Sequence, residues 1–270
     1  MTILRKTNLV AFLAIISSQS FANEQCNFDS KLALRIAYST GEYDVTKDGV
    51  KNELSETHNN ASRIGGSVGY NCGETTLKYT YHTVIKLPGT SLKTNTIINK
   101  FSIANKSLGK LTIGKITTPY KAAGKKGDYF WDTPAGTAFA ANNFGYSDMT
   151  RGFTDNAVIY TSPKFGQFKF DVGYTGENSD GDYHVGVEYQ EDNTVFGVQY
   201  LDLGDDAFVA NHKGSKEAVR LYTRYGFDSW SFSGSLEDVR QSDGEHERFL
   251  NVSVQKKLES FGRVAMSYGQ

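Results

Sequence analysis

The chain has 270 residues with 29 basic and 30 acidic side chains, a formal net charge of −1 and a mean hydropathy of −0.45. Twenty-seven glycines, 16 tyrosines and 17 phenylalanines stand against 4 prolines, 3 methionines and 2 cysteines, which is unusual for a helical soluble enzyme and suits a sheet with one wet face. The charge balance implies no nucleic-acid partner, and no stretch approaches the roughly 20 apolar residues that a spanning helix needs.

The first residues carry Arg5 and Lys6, then an apolar run from Leu9 to Ile16, then small residues at Ser20 and Ala22. That order is the layout of a secretory signal peptide, with cleavage expected after Ala22. Cys26 follows Asn23, Glu24 and Gln25, so the motif for a lipid anchor is missing and any membrane anchor must be made of strands. Removing residues 1–22 leaves 248, read as a single domain over 23–270 with 27 basic and 30 acidic side chains. Export also places Cys26 and Cys72 in an oxidising compartment, where a disulfide is expected; two unpaired small residues are the alternative.

From Lys31 onward the pattern has period two, not 3.6. Leu32, Leu34, Ile36 and Tyr38 share one face, and Ala33, Arg35, Ala37 and Ser39 the other. Leu77, Tyr79 and Tyr81 alternate with Lys78, Thr80 and His82 in the same way. Phe168, Phe170, Val172 and Tyr174 oppose Lys169, Asp171 and Gly173, while Tyr183, Val185, Val187 and Tyr189 oppose His184, Gly186, Glu188 and Gln190. Val219, Leu221 and Tyr225 oppose Arg220, Tyr222 and Arg224. Tyr recurs at strand ends, where a membrane barrel places amphipathic rings at the headgroups; a soluble sandwich would bury them.

Connections alternate in length. Segments 41–58 and 204–217 are long and polar, whereas 71–74, 192–193 and 228–229 are very short. Both cysteines fall at the short-turn rim of adjacent strands on this reading. These features predict an all-β, antiparallel transmembrane barrel. About thirteen candidate strands are visible, and single-chain bacterial barrels close with an even number. The expected barrel therefore has about 12 to 16 strands, or its last strands are missing.

One region breaks the rhythm. After KLTIGK at 110–115 the alternation lapses until about residue 155, and a connection of that length usually has a job. The ordered string LTIGK, TPY, a Gly- and Asp-rich excursion, an Arg, then NAVIYTSP and FGQFKFDVGY resembles the Gram-negative trimeric porins, specifically over 108–175 and by strand pattern elsewhere. The resemblance implies a long third loop folded into the barrel, a homotrimer in the outer membrane bilayer, and passive diffusion of ions and small hydrophilic solutes. Carried over by position, it implies a constriction formed by Lys115 and by Lys121, Lys125, Lys126, Asp128, Asp132 and Asp148 of the loop. Two departures from the family stand out: Ile159 occupies an inward position where many members carry a basic residue, and the chain ends VAMSYGQ, with Tyr268 third from the end.

Alternation aims Arg35, Arg63, Lys78, Lys169, Arg220, Arg224 and Arg263 at the lumen, against Asp171, Glu188 and Glu237. That excess of basic charge predicts a mild anion preference. Catalysis is not expected. His58, His212 and His246 lie in or beside polar turns, His82 and His184 at inward positions, and no nucleophile motif accompanies any of them. No His or Cys pair has metal-ligand spacing, and no cofactor is expected. The remaining rivals are a non-conducting barrel used for adhesion or structure and a soluble β-sandwich.

Overall fold

The computed structural model describes residues 26–47, 50–59, 62–86, 93–130, 147, 153–175, 182–202, 215–259 and 262–269. The strands are β1 (Cys26–Arg35), β2 (Tyr38–Lys47), β3 (Val50–Asn59), β4 (Arg63–Cys72), β5 (Thr75–Lys86), β6 (Lys93–Asn105) and β7 (Gly109–Ile116). Among the described residues one helix, α1 (Pro119–Gly127), precedes β8 (Thr154–Thr161), β9 (Phe168–Thr175), β10 (Asp182–Glu191) and β11 (Thr194–Asp202). Then come β12 (Ser215–Phe227), β13 (Trp230–Gln241), β14 (His246–Leu258) and β15 (Gly262–Gly269).

Thirteen strands form one antiparallel sheet in the order β1-β4-β5-β6 and onward consecutively to β15, so that, among the described residues, β1 and β15 are its edges. Each strand pairs with its chain neighbour except where β2 and β3 intervene; these two pair only with each other. That hairpin occupies the stretch expected as a long polar loop. Backbone pairing alone makes a hairpin, and the sequence of this one carries no apolar alternation, so the hydropathy pattern left it unmarked.

Tight turns join β10 to β11 and β12 to β13, with Asp192 and Asp228 at φ of 43° and 50°, and Gly73 at 57° joins β4 to β5. Such turns match the right-handed twist of the strands they connect. The Cys26–Cys72 disulfide is present. The two residues face each other in register as the first of β1 and the last of β4, within the strands rather than just beyond them.

The two faces of the sheet differ as the alternation requires. Phe170, Val172, Val185, Phe196, Phe232 and Leu250 stand exposed on the outside, an apolar surface suited to lipid and not to water. Aromatic pairs border it: Phe168 with Tyr189 and Tyr174 with Tyr183, each with ring centroids 5.3 Å apart. Inward residues are polar and covered, among them His184, Glu188, Gln199, Arg220, Glu237 and Asn251.

Candidate functional site: the narrowed interior

The region read as a loop after β7 opens with the helix α1. Thr118 caps it by accepting from the Lys121 amide at 3.1 Å, Pro119 occupies the first turn where no N–H is needed, and Lys125 and Lys126 end it, favourably for the helix dipole. The helix lies inside the curved sheet against the inner faces of β10 to β14, the far wall from its own strand.

What seats it there is legible along β13, whose inward positions are Ser231, Ser233, Ser235 and Glu237. The Tyr120 hydroxyl donates to Glu237 Oε1 at 2.6 Å, Ser233 Oγ donates to the Gly127 carbonyl at 2.7 Å, and the Tyr129 hydroxyl meets Ser231 Oγ at 2.7 Å. Small hydroxyl side chains leave room for a helix and supply bonds for its polar atoms. At the centre, Arg220 and Glu237, both 0% exposed, pair at 3.0 Å. Arg220 also donates to the Tyr120 carbonyl at 3.0 Å and stacks on its ring, while Glu237 Oε2 accepts from the Ser147 amide at 2.9 Å. Burial, and then the carboxylate beside it, push the Tyr120 phenol well above its usual range, so it stays protonated and donates. A buried pair that shares bonds with Tyr120 and Ser147 is tolerable; either charge alone would be costly.

A second cluster surrounds Glu188, which pairs with Lys126 of α1 and, at 3.3 Å, with Lys169. Tyr222 reaches it from two strands away, its hydroxyl donating at 2.6 Å. It can do so because Gly197 lies between them in register, where any Cβ would meet the Tyr222 ring. Gly186 plays the same part between Asp171 and Gln199, which join His184 in a third cluster.

Between α1 and the wall lies a cavity of about 210 Å³. Lys100, Lys110, Lys169 and Thr112 line one part of it, Asp171, Glu188, Gln199 and Tyr222 another, and Ala122, Ala123 and Lys126 of the helix a third. Ile159 also faces it, at the position where the resemblance would place a basic residue.

The candidate residues are brought together unevenly. Lys126 reaches the cavity; Lys121 is buried with its ammonium 3.9 Å from the Phe153 ring centroid; Lys125 is exposed in the last helical turn; Asp128 is buried and accepts from the Phe130 amide at 2.8 Å. Asp132 and Asp148 lie outside the described residues. Lys115 is a correction. It pairs opposite Asn99 and shares the outward face of Phe101 and Ile113, with its ammonium 2.8 Å from Asp155, because period two sends Lys110, Thr112 and Gly114 inward instead.

Of the wall residues, Lys78, Lys169, Asp171, Glu188, Arg220 and Glu237 take inward positions, as do Arg224, opposite Ser233, and Arg263, opposite Lys257. Arg35 and Arg63 face each other at the ends of β1 and β4. Sequence reasoning missed Lys100, Lys110, Tyr120, Ser147 and Tyr222. The two lysines were recoverable, since each alternates with an outward apolar neighbour, Phe101 or Leu111.

A lipid-facing antiparallel wall wrapped around a polar interior that a helix-bearing connection narrows defines a channel-type outer-membrane protein. The chain matches the Gram-negative porin family over residues 11–270 and belongs to it. Among solved structures it is similar to the anion-selective porin from Comamonas acidovorans, at 14% identity and a TM-score of 0.65 over 90% of this chain and 78% of that one. It is also similar to Salmonella typhi OmpF in complex with daunomycin, at 15% identity and a TM-score of 0.60 over the same shares. A Rh. blastica porin mutant matches at 9% identity and a TM-score of 0.53, over 90% of this chain and 94% of that one. No curated protein matches the chain in sequence.

Proposed function

We propose that this outer-membrane porin conducts ions and small hydrophilic solutes by passive diffusion, with a mild preference for anions, as a homotrimer whose signal peptide, residues 1–22, is removed on export to leave a barrel domain over 23–270. The reading rests mainly on one observation. Lys78, Lys100 and Lys110 are inward lysines with no carboxylate within ion-pair distance among the described residues, whereas three inward carboxylates of the other wall, Asp171, Glu188 and Glu237, each have a basic or imidazole partner; Asp29, inward on β1 across Gly69 from Lys78, is a single carboxylate against these three lysines. Net positive charge on the walls of a narrow aqueous path concentrates anions. Lys100 and Lys110 line the cavity beside α1, where their charge reaches permeating ions.

Single-channel recording in a planar bilayer tests it. Discrete conductance steps are expected, with a reversal potential in a salt gradient displaced toward the anion equilibrium value. Absence of steps would favour a non-conducting barrel, and clear cation selectivity at low salt would mean that acidic loop residues outweigh the lysine wall.

A further inference from the structure

The lysines of the interior do more than set a diffuse field. Lys78 on β5, Lys100 on β6 and Lys110 on β7 occupy inward positions on three consecutive strands, and Lys100, Lys110 and Lys169 of β9 line the cavity beside α1. Lys100 lies within Coulombic range of Lys110 and Lys78, and Lys110 within range of Lys169 and Lys78. Of these four, only Lys169 has a carboxylate partner among the described residues, sharing Glu188 with Lys126. Thr112, between Lys100 and Lys110 on the same inner surface, adds a hydroxyl that can donate.

Like charges crowded on a low-dielectric wall repel one another, and the arrangement is costly unless something neutralises it. The opposite wall answers its own charges internally, through Arg220–Glu237 and Lys126–Glu188. Among the described residues Lys78, Lys100 and Lys110 make no ion pair, and the one carboxylate that shares their face across a neighbouring strand, Asp29 beyond Gly69, leaves their charge in excess. A monovalent ion can offset one ammonium at a time, whereas a compact anion with two or more charges spread over several oxygens can bridge two or three ammonium groups with charge-assisted hydrogen bonds. Ammonium groups on flexible stems suit such a ligand, because they act as movable point charges with no fixed planar geometry to match.

We propose that Lys78, Lys100 and Lys110, with Thr112, form a saturable binding subsite for compact polyvalent oxyanions, the phosphate or polycarboxylate class, on the wall facing α1. This rests on the porin reading above and adds to it a site that fills. Anion preference alone would leave current rising in proportion to concentration.

The test is calorimetric titration of the full detergent-solubilised protein with pyrophosphate at low ionic strength, in three forms: wild type, K100Q/K110Q, and K106Q/K164Q. The last pair removes the same charge from exposed short-turn positions, Lys106 and Lys164. Saturable binding is expected in wild type and in K106Q/K164Q, with K100Q/K110Q weaker by about tenfold or more, as loss of one charge-assisted contact implies. Binding that is absent in wild type, or weakened equally by both double substitutions, overturns the subsite. Pyrophosphate binding does not require conduction, so the two readings separate. A conducting, anion-preferring channel without saturable binding refutes the subsite and leaves the function standing; saturable lysine-dependent binding by a protein that fails to conduct does the reverse.

Discussion

The two walls of the interior carry the same kind of sequence and meet different fates. Along β10 to β13, inward charges are consumed by structure: Arg220 and Glu237 are fully covered, and Glu188 is gripped by Lys126, Lys169 and Tyr222. Along β5 to β7, inward Lys78, Lys100 and Lys110 face the cavity or its surroundings and carry no carboxylate partner among the described residues. The difference is the helix α1, which packs on the first wall and faces the second across the cavity. A count of inward charges therefore says little until it is known which of them are already spoken for. Seven basic against three acidic residues treats Arg220 like Lys78, although one is a structural pair and the other is available to a passing ion.

The largest effect should come from breaking the covered wall. Replacing Arg220 with Ala leaves Glu237 buried beside Tyr120 and Ser147 without its cation, at a cost of about 3–5 kcal/mol. α1 should lose its seat, and single-channel steps should become larger and noisier. Steps of unchanged size and noise would show that the pair does not hold the loop. A comparable but conductance-silent effect is expected at the margin of the other wall. The disulfide closes 46 residues between β1 and β4, and its reduction should lower resistance to unfolding by up to about 4 kcal/mol. Gel migration of samples heated with and without reductant measures this, and equal transition temperatures would contradict it.

Substituting the open wall should alter selectivity more than stability. K100Q should shift the reversal potential toward cations, and the shift should grow as salt falls from 1 M to 0.1 M, since the screening length rises from about 3 Å to about 10 Å. A salt-independent shift would point to altered pore shape instead. Lys115 should matter least. Its pair with Asp155 lies on the outward face and is partly exposed, so Lys115→Ala should cost about 0.2–1 kcal/mol and leave selectivity as it was. A changed reversal potential in that variant would place Lys115 at the pore after all.

Much of this architecture is readable without coordinates because the bilayer imposes a rule on every strand. Backbone groups must be paired within the wall and the outer face must be apolar, so the alternation from Leu77 to Tyr81, or from Phe168 to Tyr174, states both the strand and its orientation. The short turns at Asp192 and Asp228 and the inward direction of Arg220, Glu188 and Glu237 follow from the same period. So does the placement of Lys110 inward and Lys115 outward, where alternation and family position disagree and alternation agrees with the structure.

Other features had no such rule behind them. The sequence of β2 and β3 carries no apolar alternation, and α1 is a short helix of mixed polarity whose Thr-Pro start is a local signal too common to stand alone. Which wall the helix would choose depended on residues more than 100 positions apart: Tyr120 meets Glu237, and Gly127 meets Ser233. The run of inward serines on β13 is suggestive once the helix is known to lie there, but serines also line wet walls that hold nothing. The sequence by itself determined the strands of the wall and which face each one turns to lipid, because lipid outside and water inside act on each residue separately. Only the tertiary structure decided which of the inward charges are neutralised and which remain open to the interior, because pairing depends on what lies across the lumen, and that is a property of no single strand.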